Sequence, residues 1–319
     1  MRRRRVLENG MEDLICYFNG EYVKESKVKL TLYDAALKEG MVYTARRTFN
    51  HIPCFWEEHT AALTRSLRAL RIDPGLTPEE MHQINFEVFE RNRKYLAPED
   101  DFVVMQRVSR GEGTSFFTTP MRPTVLTTCL KVSPLYERQA KIYQQGIHLV
   151  LANTRQIPPQ CLDVKTKNTN RLNNTLADLE AMMVDPQAQP LMLDINGRVA
   201  EGSKYNWFMV RDGRILTPRR DNIYPGVTRD TILKLAKEIN IDAVETDLYA
   251  YDLYNADEMF VTANSYTIGP VAKFNETLFE KPIPGPVTQQ LLSAFSRLVG
   301  VDIVQRVLDY VQNKATSRE

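Results

Sequence analysis

The chain has 319 residues, which is long enough for two modest domains or one large domain. Hydrophobic residues make up 43% and charged residues 25%, a composition typical of a folded globular protein, and it excludes extensive disorder. The formal net charge of +1 gives no overall reason to expect nucleic acid as a partner. No segment approaches the run of ~18 apolar residues that a membrane span requires, so we expect no membrane association.

The N-terminus and the cysteines bear on the cellular compartment. The arginines at positions 2–5 are not followed by an apolar segment, so we expect no secretory signal. The four cysteines are scattered without the spacing of metal ligands: Cys16, Cys54, Cys129 and Cys161. We therefore expect free thiols, no bound metal and a cytoplasmic protein.

The first part of the chain, residues 1–154, is predicted to be a small α+β domain. An Asn-Gly turn predicts a hairpin over residues 16–23. One helix is predicted over residues 58–70, and a second begins at Pro78 behind a threonine cap. Residues 139–146 are predicted to form a turn. Further strands are predicted at residues 43–49, 52–55, 101–109, 124–132 and 147–153.

The second part, residues 155–319, is predicted to be a separate and larger domain that begins at the loop over residues 155–159. A helix is predicted from a stripe of apolar residues at helical spacing, namely Leu172, Leu176, Leu179 and Met183. The remaining predicted elements are a three-stranded meander at 191–218, a helix at 230–238, a strand at 258–265 and a helix at 287–313.

Two lysines, Lys165 and Lys167, lie between that loop and the apolar helix. A lysine fixed at the boundary of an element can be desolvated and made nucleophilic toward a carbonyl group. Lysines in such a segment are more often solvated loop charges. Both begin a Lys-x-x-Asn sequence, so this short motif does not choose between them.

Three segments together resemble the class IV aminotransferases, the fold-type IV enzymes that use pyridoxal phosphate (PLP). They are Lys167-Asn-Thr-Asn-Arg-Leu172, Glu201-Gly-Ser-Lys-Tyr-Asn206 and Tyr224-Pro-Gly-Val-Thr-Arg-Asp230. The family includes branched-chain and D-amino acid aminotransferases and aminodeoxychorismate lyase. The resemblance covers residues 16–285 and implies an α/β (α+β) fold of two domains with PLP in the cleft between them.

The resemblance also assigns roles in binding the cofactor. Lys167 would bond to PLP, since its distance along the chain to the following helix matches the family without a gap; Lys165 remains the alternative. Glu201 would face the pyridine nitrogen, and a carboxylate there keeps the ring protonated. The phosphate would be held by two loops, one at Gly226, Val227 and Thr228 and the other at Asn264 and Ser265.

The first helix departs from the family pattern. Relatives carry Glu-His-x-x-Arg-Leu, in which the arginine binds the phosphate, whereas this chain has Glu58-His-Thr-Ala-Ala-Leu63. Ala62 therefore occupies the arginine position. Either Arg65, one turn further on, replaces the missing guanidinium, or the phosphate is held more weakly, by about 1.5–3 kcal/mol.

Substrate recognition is predicted to involve Arg110 and Tyr43. Arg110 lies in a segment similar to the one whose arginine pairs with the substrate carboxylate in relatives of D-amino acid aminotransferase. Tyr43 matches the active-site aromatic residue of the family, although a role in the core is equally compatible with the sequence. Arg171 is a candidate for the phenolate side of the cofactor.

The resemblance implies a PLP-dependent aminotransferase that moves an amino group between an amino acid, of branched-chain or D-amino acid type, and a 2-keto acid. It further implies a homodimer. Two alternatives remain open at this point. Asn170-Arg171-Leu172 is similar to the lyase branch, which favours elimination, and Ala62 would suit a non-catalytic protein with weakened PLP binding.

Overall fold

The computed structural model describes residues 13–114, 122–280 and 282–316, so the arginines at positions 2–5 lie outside it. The strands are β1 (Ile15–Phe18), β2 (Glu21–Lys24), β3 (Val42–Phe49), β4 (Ile52–Pro53), β5 (Phe102–Ser109), β6 (Thr124–Lys131), β7 (Ile147–Leu151), β8 (Gln189–Leu193), β9 (Val199–Gly202), β10 (Asn206–Arg211), β11 (Arg214–Pro218), β12 (Ala243–Thr246), β13 (Glu258–Ala263), β14 (Thr267–Phe274) and β15 (Thr277–Leu278). The α-helices are α1 (Trp56–Ala69), α2 (Pro78–Asn92), α3 (Tyr136–Gln145), α4 (Leu172–Val184), α5 (Val227–Glu238), α6 (Ala250–Leu253), α7 (Pro286–Val299) and α8 (Ile303–Thr316).

The first sheet is antiparallel, with the strand order β2-β1-β6-β5-β3-β4. Helices α1 and α2 cover one of its faces. Leu63 and Leu67 of α1 and Phe89 of α2 pack there against Phe102 and Val104 of β5. Thr77 caps α2 in a complete capping box, which confirms the predicted start of that helix at Pro78.

The second sheet is mixed, with the order β12-β11-β10-β13-β14-β7-β8-β9 and with β15 paired to β14. Successive side chains along a strand point to opposite faces of the sheet, and here both sets of side chains are apolar. Phe208 and Phe260 stack in parallel on the face covered by α5 and α7, with their ring centroids 4.8 Å apart. Trp207 and Val261, their neighbours in the chain, belong to the cluster on the opposite face.

The two sheets are joined through the core and through the backbone. Phe49 of β3 lies in the same apolar cluster as Phe208 and Phe295. The segment that carries Lys167 pairs with the start of β3, because the Tyr43 N–H donates to the Lys167 carbonyl at 3.0 Å and the Thr169 N–H donates to Met41 at 2.8 Å. The start of β3 therefore fixes the position of the predicted active-site lysine.

The turn predicted at residues 139–146 is wrong, because the chain forms helix α3 over Tyr136–Gln145. The buried residues Tyr136, Ala140 and Tyr143 recur at helical spacing and pack into the core shared by α7 and α8. Apart from Ile142 the intervening residues are polar, so the local sequence alone gives only a weak signal. Tertiary packing on one narrow stripe stabilises this helix.

The chain passes from the first sheet to the second before residue 154, where the predicted first domain ends. Strand β7 pairs in parallel with β14 and β8, so it belongs to the second sheet. Helix α3 also packs against elements of the second part. The division into two domains stays a prediction, and the sheet topology favours a boundary between β6 and α3.

Helix α4 is confirmed, but its large apolar residues do not face the core. The helix buries Ala177 and Ala181 against the second sheet. The predicted stripe is exposed instead, and Met183 retains 88% of its accessible surface. Within the part of the chain that the structure describes, no helix combines the length and apolar character of a membrane span.

Candidate active site

Lys167 lies in a cavity of about 690 Å³, counting its solvent-filled mouth, that is lined by residues from both parts of the chain. The Nζ atom of Lys167 lies 4.3 Å from the ring centre of Tyr224 and 5.1 Å from that of Tyr43. Among the described residues, no carboxylate forms an ion pair with this amine.

Lys165 occupies a different environment. Its side chain is exposed and forms an ion pair with Asp163 at 3.4 Å. It does not line the cavity that contains Lys167. The geometry therefore favours Lys167 as the reactive lysine and assigns Lys165 to the surface.

Glu201, at the end of β9, is a buried carboxyl group on the wall of the same cavity. It accepts hydrogen bonds from Asn206 Nδ2 at 2.9 Å, from the Tyr224 N–H at 3.1 Å and from Gln156 Nε2 at 3.2 Å. Burial raises the pKa of Glu201 to about 7, against the opposing effect of Arg171. Three donors thus fix a carboxyl group that can bind a protonated ring nitrogen.

The N-terminus of α5 supplies a site for an anion. The helix begins after Gly226, no side chain caps its first N–H groups, and Val227 and Thr228 line the cavity. Free amides and the helix dipole together favour a bound phosphate. Gly226 cannot be larger, because a Cβ atom there would lie 2.3 Å from the Oδ1 atom of Asn206.

The second predicted phosphate loop is only partly at the cavity. Asn264 lines it and donates from Nδ2 to the Ala45 carbonyl at 3.2 Å. Ser265 is not among the residues that line it. The Ser265 carbonyl accepts hydrogen bonds from Arg47 at 3.0 Å and Gln139 at 2.6 Å, so its contribution is to hold the loop in place.

Arg65 is exposed on α1 and does not line the cavity. It is nevertheless close enough to act on Tyr224. Burial raises the pKa of Tyr224, and the positive charges of Lys167 and Arg65 partly oppose this shift. Arg65 therefore lies near the site. It does not line the cavity, so it does not take the place of the arginine that relatives carry at the position of Ala62.

Arg110 is held away from Lys167. It lines a separate cavity, where its Nε atom donates to Glu39 at 3.0 Å. Its two terminal nitrogens donate to the carbonyls of Arg71, at 2.8 Å, and of Leu70. These contacts satisfy the guanidinium within the chain, so the geometry does not support the predicted role of Arg110 at the substrate.

Arg107 is a second arginine of the same segment, which the sequence analysis did not select and which is not among the residues that line the cavity. It lies directly opposite Tyr43 in the β3–β5 pairing and donates to Thr128 at 3.0 Å. Burial raises the pKa of Tyr43, but the charges of Lys167, Arg171 and Arg107 outweigh it, so the net shift is downward. Arg107 lies within β5, whereas Arg110 follows the end of that strand, so only the side chain of Arg107 has its face set by strand alternation.

Arg171 and His59 are also among the side chains that line the cavity. Arg171 lines it and donates to the Ser203 carbonyl. His59 of α1 is buried, and its Nδ1 atom lies 3.1 Å from the Thr44 hydroxyl. Among the described residues, no cluster of side chains has the composition of a metal site.

Comparison with known proteins agrees with this geometry. The sequence profile described as amino-transferase class IV matches residues 41–274. The chain is 31% identical over 283 residues to a putative branched-chain-amino-acid aminotransferase of Methanocaldococcus jannaschii, covering 88% of this chain and 94% of that protein. The crystal structure of the branched-chain amino acid aminotransferase of Escherichia coli matches with a TM-score of 0.80 at 25% identity, covering 90% and 95% of the two chains.

An aminotransferase from Brucella abortus, solved with PLP bound, has the same fold at 23% identity, with a TM-score of 0.77 and coverage of 90% and 99% of the two chains. The chain belongs to the class IV aminotransferases. It has the fold-type IV architecture, and it is an aminotransferase, as the sequence predicts. The similarity to aminotransferases favours transamination over both the lyase and the non-catalytic alternatives.

Proposed function

We propose that the protein transfers the amino group of a branched-chain amino acid to a 2-keto acid, with Lys167 as the residue that bonds to PLP. One observation carries the proposal. The free amine of Lys167 shares a cavity with the buried carboxyl of Glu201 and with the uncapped start of α5. The three groups fit the aldehyde, the ring nitrogen and the phosphate of PLP respectively.

When bound, PLP supplies an electron-withdrawing ring that stabilises the negative charge formed at the substrate α-carbon. Lys167 would hold the cofactor, and its amine, once free, would be the base that moves the proton at the substrate α-carbon. The rings of Tyr43 and Tyr224 limit the positions open to Nζ, which keeps it close to the transferred proton.

Glu201 supports this chemistry from the opposite end of the ring. Its three hydrogen-bond donors set its orientation, and a positively charged ring nitrogen would lower its pKa from about 7 and keep it ionised. Val227 and Thr228 would hold the phosphate through the N–H groups of α5. Asn264 would contribute its remaining donor to the same end.

We assign substrate carboxylate binding to Arg107 together with Tyr43, in place of Arg110. The support is their pairing across β3 and β5, which directs both side chains toward the same face beside Lys167. The guanidinium of Arg107 donates one hydrogen bond to Thr128, which leaves other donors for a carboxylate.

Branched-chain substrates are proposed because the similar proteins of Methanocaldococcus jannaschii and Escherichia coli are named branched-chain aminotransferases. The test is amino transfer to 2-oxoglutarate from L-leucine, L-isoleucine, L-valine and D-alanine. Transfer from the L-amino acids, lost in Lys167→Ala, is the expected result. Transfer from D-alanine alone would contradict the branched-chain assignment, and release of pyruvate from aminodeoxychorismate would favour the lyase.

The protein is also proposed to form a homodimer in the cytoplasm. The exposed apolar residues of α4 support the dimer, because an apolar helix face of this kind is typical of an interface between subunits. The cysteines, all described and all free, are consistent with a reducing compartment. Sedimentation of the purified protein and fractionation of cells test the two statements.

A further inference from the structure

Where the family pattern has the arginine that binds the phosphate, this chain has Ala62, and no arginine from α1 lines the cavity. The cations that line the cavity have other partners or roles: Arg171 donates to the Ser203 carbonyl, and Lys204 pairs with Asp178 at 3.0 Å. Lys167 is the residue proposed to bond to the aldehyde. Among the residues that line the cavity, no cationic side chain is therefore left to replace that arginine at a phosphate bound to the start of α5.

His59 lies one turn before Ala62 on the same face of α1. The same face continues to Ser66, whose hydroxyl accepts a hydrogen bond from the Lys167 N–H at 3.2 Å. His59 is buried and lines the cavity that Val227 and Thr228 also line. The Nδ1 atom has the Thr44 hydroxyl as its partner, and among the described residues the Nε2 atom has none.

The surroundings of His59 keep the imidazole neutral and set its tautomer. Burial lowers the pKa of His59 to about 3, and the charges of Arg46 on β3 and Lys167 before α4 act in the same direction. When the Thr44 hydroxyl donates to Nδ1, the proton of the neutral ring resides on Nε2. His59 can then donate a hydrogen bond to an anion without taking up a proton.

Arg46 adds an uncompensated positive charge behind His59. Its side chain is fully buried and donates to the neutral groups Thr60, at 3.0 Å, and Gln106, at 3.5 Å. Its Nε and Nη1 atoms have no partner, and within the described ranges no carboxylate pairs with it. Burial lowers the pKa of Arg46 to about 9, so it stays charged at neutral pH and favours an anion nearby.

We propose that His59 donates a hydrogen bond from Nε2 to the cofactor phosphate and that Arg46 stabilises the same phosphate electrostatically from behind it, which rests on the PLP-dependent function proposed above. The pair replaces the guanidinium that is absent at Ala62. His59 is thus a cofactor-binding residue, and Arg46 and Thr44 are positioning residues.

The test compares PLP with pyridoxal, which carries the same aldehyde and ring without the phosphate. Dissociation constants for both are measured by titration of the visible absorbance of wild type, His59→Leu and Ala61→Leu, where Ala61 is an exposed residue of the same helix. Leucine removes the N–H donor at similar size, so we expect His59→Leu to weaken PLP about ten- to hundred-fold and to leave pyridoxal unchanged. Ala61→Leu should change neither value.

The double variant His59→Leu/Ala62→Arg keeps the result interpretable if His59→Leu disturbs the fold. Recovery of PLP affinity in the double variant, with pyridoxal still unchanged, supports the proposal. Equal weakening of PLP and pyridoxal in His59→Leu, or no weakening of either, overturns it. Failure of the wild type to bind either compound would overturn the PLP-dependent function itself and this proposal with it.

Discussion

Glu201 links the chemistry of the site to the stability of the cofactor-free protein. Its ordinary pKa is 4.5, and burial raises it to about 7 in the folded state. A group with a raised folded pKa stabilises the fold below its unfolded pKa and loses this effect as the pH rises through the folded value. The free energy of unfolding should therefore fall by roughly 3 kcal/mol between pH 4.5 and 7 because of this residue.

Chemical denaturation of the cofactor-free protein at pH 5 and pH 8 measures that effect. Glu201→Gln should remove most of the pH-dependent loss and should also slow amino transfer, because an amide cannot keep the ring nitrogen protonated. The same pH dependence in both proteins would show that Glu201 is not the titrating group.

We expect substitutions of Arg107 and Arg110 to have different effects on substrate binding. Arg107→Gln should lower kcat/KM for the amino acid about ten- to hundred-fold, since a charge-assisted contact to the carboxylate is lost, with little change in PLP binding. Arg110→Gln should leave kcat/KM within about twofold and lower the thermal stability, because Arg110 binds Glu39 and two carbonyls. A raised KM in Arg110→Gln alone would restore the assignment made from sequence.

These two arginines illustrate which single-residue roles could not be predicted from the sequence. The resemblance selected Arg110, whereas the register of β3 with β5 brings Arg107 beside Tyr43. Lys167 and Glu201 could be predicted because each belongs to a segment of several matched residues. The position of Arg107 beside Tyr43 depends on which strands pair and in which register. Strand pairing is determined by residues far apart in the sequence, so no local motif predicts it.

Among the secondary-structure elements, α4 allows the most direct test of the proposed dimer. Its exposed leucines include Leu176 and Leu179, which lie 46% and 52% exposed. Leu179→Glu should convert the proposed dimer to a monomer, because a charge is costly inside an apolar interface. Leu278→Glu on β15, where the leucine is exposed on another element, is the control and should leave the assembly unchanged. Light scattering coupled to size exclusion distinguishes the two, and a dimeric Leu179→Glu would exclude this face.

Helices α4 and α3 also show what the sequence could and could not predict about elements. Helical spacing was sufficient for α4, although which face is buried depends on the small residues Ala177 and Ala181 that allow close approach to the sheet. Helix α3 was predicted as a turn because its stabilising contacts come from α8 and the second sheet. Both outcomes follow from packing partners distant in sequence.

For the molecule as a whole, the cofactor site is shared by the two sheets. Ala45 and His59 come from the first part of the chain, and Lys167, Glu201 and Thr228 from the second. PLP should therefore stabilise both parts together, by roughly 2.7 kcal/mol at a free concentration one hundred times its Kd. We expect a higher Tm in a single calorimetric transition. Two transitions, of which only one shifts with PLP, would contradict a shared site.

The most direct test of the account is the visible absorbance spectrum of the purified protein with added PLP, compared among wild type, Lys167→Ala and Lys165→Ala. We predict a visible band of lysine-bound cofactor in the wild type and in Lys165→Ala, and its loss in Lys167→Ala. The reason is that the Lys167 amine lies in the cavity, whereas Lys165 pairs with Asp163 at the surface. A band that survives in Lys167→Ala and disappears in Lys165→Ala would contradict the assignment of the active site.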